Sequence, residues 1–310
     1  MKNILLCLLF VLSFTILTGQ VSKNIHLTNA GTSSTELSSE ELNLITDLTV
    51  TGNIDARDFK TMRDLMPVLA NIDLSGANIV AYSGEEGTSI QAGIVNYPAN
   101  TTPEYAFMNA NYNGKNSLTS IKFPDSMIDV GYQAFRNCFN LNEIILPGSI
   151  LYVRSYAFAR CTSLTNVSIP ASLVSMSWLG FADSPVYFNV DENNSSYSSA
   201  DGILFNKPKT YLFQCPPTLS GIYSIPGTVE TIGNYAFSNC TGVTEVIIPS
   251  SVKYINEGAF TACEGISKLT IPISVAAIGN WAFQSCYGLT NIYAPWIIPI
   301  SLGNNTFANI

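Results

Sequence analysis

Residues 245–286 read EVIIPSSVKYINEGAFTACEGISKLTIPISVAAIGNWAFQSC, and this stretch contains one pattern twice. In each copy a strand-like apolar segment ends in proline, at Pro249 and Pro272. A small residue and then phenylalanine follow, at Phe260 and Phe283, so the two copies are 23 residues apart. A fixed period of this length is typical of a solenoid, in which each unit must stack on its neighbours to bury its apolar face.

The pattern continues outward from this stretch in two blocks. The prolines that end the strand-like segments are Pro124, Pro147, Pro170, Pro226, Pro249, Pro272 and Pro295. The phenylalanines that follow them are Phe135, Phe158, Phe181, Phe237, Phe260 and Phe283. The pattern predicts an α/β-type repeat solenoid with a parallel strand ladder, short helical turns at the Ala-Phe corners and a buried phenylalanine spine. Apolar positions predicted to stack inside it are Leu146, Ile169, Ile225, Ile248 and Ile271.

Three regions depart from the period. Residues 21–102 are predicted to form an irregular α/β capping region, with a polar loop at 82–102, ahead of a solenoid at 103–310. Residues 186–217 are interpreted as two longer turns, with strands at 188–190 and 203–205. After Pro295 the pattern weakens, so residues 296–310 form either a small cap or an array that has lost its natural end.

The first 20 residues have the composition of a secretion signal. Lys2 supplies a short basic region, the segment Ile4–Leu17 is apolar, and small residues follow at Thr18 and Gly19. No cysteine stands at the expected cleavage point, so a lipoprotein is not predicted. No later apolar run approaches the length of a transmembrane helix, and we therefore expect a secreted or cell-surface protein.

Charge and residue usage exclude several classes of function. Charged residues make up only 12 % of the chain and the formal net charge is −8, which argues against nucleic acid as a partner. The one histidine, His26, is expected in a mobile N-terminal segment, so we predict no catalytic triad and no enzyme. The segment Asp191–Gly202 is rich in oxygen ligands but lacks the glycine and the terminal glutamate of a calcium loop. We predict no cofactor and no metal.

Five cysteines occupy one repeat position, and they are Cys138, Cys161, Cys240, Cys263 and Cys286. Stacked turns bring neighbouring cysteines within reach of a disulfide, but their Cβ vectors would run parallel. We therefore favour a ladder of buried thiols over disulfides. Cys215 lies outside this ladder and is predicted to be an exposed thiol.

Two rows of side chains are candidates for a binding surface. Outward positions of the first strand in each turn carry the apolar residues Ile145, Ile247 and Tyr293. These side chains either form part of a protein-binding surface or are the scattered exposed apolar residues that are ordinary on strands. The position just before Ala-Phe carries Tyr156, Tyr235 and Trp281. This second row forms either a carbohydrate or protein platform or packs on the neighbouring turn, and packing is the favoured interpretation.

The unit Ile225-Pro226…Ile232-Gly233-Asn234-Tyr235-Ala236-Phe237…Cys240 and its copies resemble BspA-type leucine-rich repeats, which occur on surface and secreted proteins of Bacteroidetes and some parasitic protists. The resemblance covers residues 103–310 and is weaker over 21–100. It implies adhesion through protein–protein interaction with host or extracellular matrix proteins, glycoproteins included. A glycan-binding module and a structural spacer on the cell surface are the alternatives.

Overall fold

The protein is a solenoid in the computed structural model, which describes residues 19–177, 179–296 and 300–310. About 12 turns, spaced by about 23 residues, stack so that their short strands pair in parallel. The predicted parallel-strand repeat solenoid is confirmed. The predicted signal peptide, apart from its last two residues, lies outside the described part of the chain.

A first ladder of strands runs from the N-terminal region through both blocks of repeats as three parallel sheets. The first sheet contains β1 (Ser22–Leu27), β2 (Asp47–Ile54), β3 (Asn71–Ile79), β7 (Ser120–Lys122) and β9 (Glu143–Ile145). The second contains β11 (Asn166–Ile169) and β13 (Tyr187–Val190). The third contains β17 (Gly221–Ser224), β19 (Val243–Ile247), β21 (Lys268–Thr270) and β23 (Asn291–Tyr293).

A second ladder lies further along each turn, and most of its strands contain only two residues. Its first sheet contains β6 (Thr101–Thr102), β8 (Asp129–Val130), β10 (Tyr152–Val153) and β12 (Ser175–Met176). Its second sheet contains β14 (Tyr197–Ala200), β15 (Ile203–Asn206), β16 (Tyr211–Gln214), β18 (Thr231–Ile232), β20 (Tyr254–Ile255), β22 (Ala277–Ile278) and β24 (Ser301–Leu302).

Strand register follows the sequence period. Ser120 pairs with Glu143, and Lys268 pairs with Asn291, so one period separates the partners in each pair. Side chains alternate between the core and solvent along first-ladder strands such as β9, β11 and β21, and the proline that follows these strands cannot donate to the ladder. The predicted core positions are all at most 8 % exposed, and they are Leu146, Ile169, Ile225, Ile248 and Ile271.

Helices in the described residues lie only in the N-terminal region, and they are α1 (Ser33–Glu36), α2 (Ser39–Leu44) and α3 (Ala56–Asp64). Capping boxes at Ser38 and Asp55 begin α2 and α3. The Ala-Phe corners differ from the expected helical turns, because alternate N–H groups there bond to the next turn and the others bond within their own segment. The N–H of Phe158 donates to the carbonyl of Gly180 at 2.7 Å, and the N–H of Phe260 donates to that of Ala282 at 2.7 Å.

The N-terminal region is more ordered than its sequence indicates. His26 lies in β1, and its Nδ1 is 3.0 Å from Oγ1 of Thr51 on β2, so the prediction of a mobile segment was wrong. The predicted loop at 82–102 contains an antiparallel hairpin of β4 (Tyr82–Gly84) and β5 (Val95–Tyr97), followed by β6. Because β1, β2 and β3 share a sheet with β7, this region extends the first ladder, and its boundary at residue 102 stays a prediction.

The parallel stacking of the strands is interrupted at residues 186–217. The predicted strands at 188–190 and 203–205 are present within β13 and β15, but β15 runs antiparallel to both β14 and β16. The hydrophobic core divides at β15, where Leu204 belongs to the N-terminal cluster and Ile203 and Phe205 belong to the C-terminal one. The chain therefore returns to the parallel stack through a three-stranded meander.

Candidate binding surfaces

Phenylalanine rings stack through each block of repeats. In the N-terminal block the ring centroids of Phe135 and Phe158 are 5.1 Å apart, and Phe107 and Phe181 extend this stack. In the C-terminal block the stack consists of Phe237, Phe260, Phe283 and Phe307. All of these rings except that of Phe307 are at most 1 % exposed, so the predicted spine is present, in two separate pieces.

Cysteines at the shared repeat position donate hydrogen bonds to backbone carbonyl groups of the phenylalanine spine. The thiol of Cys161 donates to the carbonyl of Phe135 at 3.2 Å, and the thiol of Cys286 donates to that of Phe260 at 3.0 Å. All six described cysteines are free and buried, as the thiol-ladder prediction requires. Ser184 stands one period after Cys161, and its hydroxyl donates to the carbonyl of Phe158 at 2.7 Å. The repeat position therefore needs a short donor side chain.

Cys215 is buried at 2 % exposure, so the prediction of an exposed thiol was wrong. Its backbone N–H donates to the carbonyl of Ala236 at 2.7 Å, in the same way that Phe237 donates to Ala259. Cys215 thus occupies the phenylalanine position of its turn, which we call the spine position. Because a thiol is much smaller than a phenyl ring, the spine has no ring in this turn.

A cleft of about 380 Å³ lies at this gap, and we call it the break cleft. One wall is formed by side chains from four turns, each of which lies two residues before the spine position of its turn. These residues are Tyr156, Leu179, Phe213 and Tyr235. The other wall lies two residues after the spine position, with Asp183, Pro217 and Asn239. Cys215, Gln214 and Ser184 line the cleft between these walls.

Both walls contain residues with left-handed backbone conformations. Tyr156, Asp183, Tyr235 and Asn239 all have left-handed backbone conformations, with φ between 55° and 61°. Such conformations are uncommon outside glycine and asparagine, and they persist only where the surrounding structure fixes them. Here the hydrogen bonds between turns fix each corner.

The polar groups of the break cleft are partly engaged with one another. The Asn239 amide donates to the Asp183 carboxylate at 3.2 Å, from one block of repeats to the other. The Gln214 amide donates to the carbonyls of Phe181 at 3.2 Å and Ser184 at 3.3 Å. The Tyr235 hydroxyl donates to Glu257 at 3.1 Å, and burial followed by this hydrogen bond raises the pKa of Tyr235 to about 12.

A second surface is the outer side of the first ladder, which we call the strand face. Ile145, Ile247 and Tyr293 are 58 %, 49 % and 64 % exposed there. Each pairs with a polar or charged residue on an adjacent strand: Lys122 with Ile145, Ser224 with Ile247 and Thr270 with Tyr293. The strand face therefore presents Ile145, Ile247 and Tyr293 at one repeat position, and Tyr187 and Ile222 are also exposed on first-ladder strands, at 46 % and 64 %.

The second predicted row separates into two environments. Tyr156 and Tyr235 line the break cleft, and Arg136 lies 5.0 Å above the Tyr156 ring. Trp281 belongs to a different turn, where its backbone N–H donates to the carbonyl of Asn304. Sequence reasoning missed Phe213, because the longer turn hides its equivalence to Tyr156 and Tyr235.

The oxygen-rich segment that begins at Asp191 forms side-chain turns. The Asn194 carbonyl oxygen accepts from the N–H groups of Ser196 and Tyr197, both at 2.8 Å, and its amide donates to the carbonyls of Pro170 and Leu173. These bonds use the side chain of Asn194 to fix the meander, which is the role expected of an Asx-rich turn.

The parallel ladders, the ring spine and the period near 23 define the leucine-rich repeat class of solenoid. The family model described as BspA type leucine rich repeat region matches residues 87–199 and 208–310 in six copies. The chain belongs to this family.

Two solved structures illustrate the shared fold. A leucine-rich repeat protein from Eubacterium ventriosum is 19 % identical over 83 % of this chain and 62 % of its own, with a TM-score of 0.56. The pneumococcal vaccine antigen PcpA is 18 % identical over 84 % of this chain and 66 % of its own, with a TM-score of 0.58. This chain therefore spans less than two thirds of either protein. No curated protein matches this sequence.

None of the helices in the described ranges is long and apolar enough to cross a membrane.

Proposed function

We propose that this protein is an exported, non-catalytic binding protein that acts at the cell surface. Its contact surface is the strand face, and its partner is an extracellular or host protein. The observation that carries the proposal is the exposure of Ile145, Ile247 and Tyr293 at one repeat position.

The physics of the strand face supports this role. Its side chains project from a backbone that is fixed by parallel pairing, so little conformational entropy is lost when a partner binds. Large apolar and aromatic side chains surrounded by polar ones resemble the anchors and rim of protein interfaces. Several such anchors spread along the ladder suit a partner that makes many weak contacts.

The family supports the same proposal. Leucine-rich repeat solenoids are generally non-enzymatic. The similar protein PcpA is a vaccine antigen, which fits a location where antibodies reach it. The signal sequence predicted for the first 20 residues also supports export of this chain.

The test is a binding screen of purified residues 21–310 against immobilised extracellular matrix proteins, mucins and glycans. The test variant combines Ile145→Thr, Ile247→Thr and Tyr293→Ser. The matched control combines Ile94→Thr, Ile273→Thr and Tyr287→Ser, which removes equally exposed side chains outside the strand face. We expect saturable binding to a protein that the test variant loses and the control keeps.

Two results would contradict the proposal. If both triple variants bind as the unmodified protein does, the strand face is not the contact surface. If no immobilised protein is bound, a structural spacer becomes the better description of this chain.

A further inference from the structure

The geometry points to a second, separate binding site: we propose that the break cleft binds a single neutral pyranose unit of a glycan, between the aromatic wall of Tyr156, Phe213 and Tyr235 and the Asp183–Asn239 pair. The break cleft and the strand face share no residue, so this site goes beyond the proposed function.

The break cleft has the dimensions of a small-ligand site. Its 380 Å³ falls in the range of about 300–1,000 Å³ that is usual for ligand pockets. The cleft exists because one turn has Cys215 at the spine position, and the adjacent turns hold their own rings in place. A rigid cavity is therefore present before any ligand arrives, which lowers the entropic cost of binding.

The wall chemistry matches a pyranose. A sugar ring has C–H faces that pack on aromatic rings and a rim of hydroxyl groups that both donate and accept hydrogen bonds. Aromatic rings from three turns form one wall, and a carboxylate and two carboxamides, from Asp183, Asn239 and Gln214, supply acceptors and donors near it. Hydroxyl groups of Ser184, Ser238 and Thr261 also line the cleft.

Charge favours a neutral sugar over an acidic one. No lysine or arginine is among the described residues that line the cleft, and Asp183 is its one carboxylate. An anionic ligand such as a phosphate or a sialic acid would therefore find no cationic side chain in the described lining and would meet Asp183. A neutral pyranose instead replaces the Asn239–Asp183 hydrogen bond at 3.2 Å with bonds to its own hydroxyls.

The test is saturation-transfer NMR and calorimetry with methyl pyranosides of glucose, galactose, mannose, fucose, N-acetylglucosamine and N-acetylgalactosamine. Two variants change the break cleft in different ways. Asp183→Ala removes an exposed polar group of one wall, and Cys215→Phe places a ring at the spine position to fill the cleft. Trp281→Ala is the matched control, because Trp281 occupies the same repeat position as Tyr235 but lies outside the cleft.

We expect saturable binding of at least one pyranoside, weakened at least about tenfold by Asp183→Ala and by Cys215→Phe and unchanged by Trp281→Ala. If Cys215→Phe fails to fold, Asp183→Ala alone decides, because its side chain is exposed. Absence of saturable binding to every pyranoside, or equal binding by the Asp183→Ala variant and the unmodified protein, would overturn the proposal. Binding of tetramethylammonium but of none of the sugars would also overturn it, because the aromatic wall would then act as a site for a quaternary ammonium group.

The two sites fail independently. The Ile145, Ile247 and Tyr293 triple variant should bind the pyranoside as the unmodified protein does. Loss of sugar binding in that variant would show that the sugar sits on the strand face and would overturn the assignment to the break cleft.

Discussion

The regular turns and the turn that contains Cys215 differ at one buried position. We call a turn closed when a phenylalanine ring fills this position and open when it does not, and the comparison shows what this ring does for the structure. In a regular turn such as that of Phe260, the ring stacks on the rings of the neighbouring turns at 4.8 and 5.1 Å. In the Cys215 turn the same hydrogen bond between turns is present, but no ring follows it, and a cleft opens. The hydrogen bond between turns at this corner is therefore kept where the spine is interrupted.

The largest expected effect is a loss of folding stability at alkaline pH, which acts through the buried thiols of the closed turns. Burial raises the pKa of Cys138 and Cys240 from 9.0 to about 12, so the folded state holds these thiols neutral. Their contribution to stability is complete below pH 9.0 and is lost as the pH rises toward 12, because the unfolded chain ionises first. We expect a loss of about 1.4 kcal/mol per buried thiol for each pH unit, measured by urea unfolding.

Tyrosines also titrate in this range, so a matched variant is needed. Serine at Cys138 and Cys240 does not ionise, and this double variant should lose less stability between neutral pH and about pH 10 than the unmodified protein. An identical loss in both proteins would show that the thiols are not responsible.

Removal of one ring should have the next largest effect. Phe260→Ala leaves a cavity between two stacked rings, and we expect the free energy of unfolding to fall by about 3–5 kcal/mol. The midpoint of urea unfolding measures this change. Phe139→Ala is the control, because Phe139 is half-buried and stands outside the stack. Equal effects of the two substitutions would contradict the ring spine as a source of stability.

The thiol position allows a finer comparison. Cys161→Ala removes the donor to the Phe135 carbonyl and should cost about 1–2 kcal/mol. Cys161→Ser should cost less, because Ser184 makes the equivalent bond to Phe158 at 2.7 Å. Thermal unfolding of both variants gives the order of stability. A serine variant less stable than the alanine variant would indicate that sulfur packing, and not donation, determines this position.

The smallest effect is expected in the open turn. Cys215→Ala extends a cleft that already exists and creates no new closed cavity, so we expect a cost below about 1 kcal/mol. The same unfolding measurement, beside that of Cys161→Ala, tests this. If Cys215→Ala proves the costlier substitution, the open turn is as tightly packed as the closed ones.

Much of this architecture could be predicted from the spacing of proline, phenylalanine and cysteine. The period placed the strands, the ring spine and the buried thiols, because each of these depends on one residue type that recurs in register. The equivalence of Ser184 to Cys161 was also readable from the spacing of 23, although serine is not a usual substitute in a core.

The break cleft could not be predicted, because the longer turns at 186–217 shift the count. Cys215 looks like an unplaced cysteine in the sequence, and only its hydrogen bond to Ala236 identifies it as the spine position. The corners were expected to be helical because local sequence does not reveal that alternate N–H groups there bond to the next turn. His26 was placed in a mobile segment because strand β1 precedes the periodic region.

The division of the core at β15 has a consequence for how the molecule comes apart. Leu204 packs with the N-terminal cluster, whereas Ile203 and Phe205 pack with the C-terminal one, so adjacent residues of one strand serve two cores. In a stack where each turn contacts only its neighbours, cooperativity passes along the array through such contacts. We therefore expect mechanical force or heat to separate the molecule first at β15, so that the two blocks of repeats unfold as separate units.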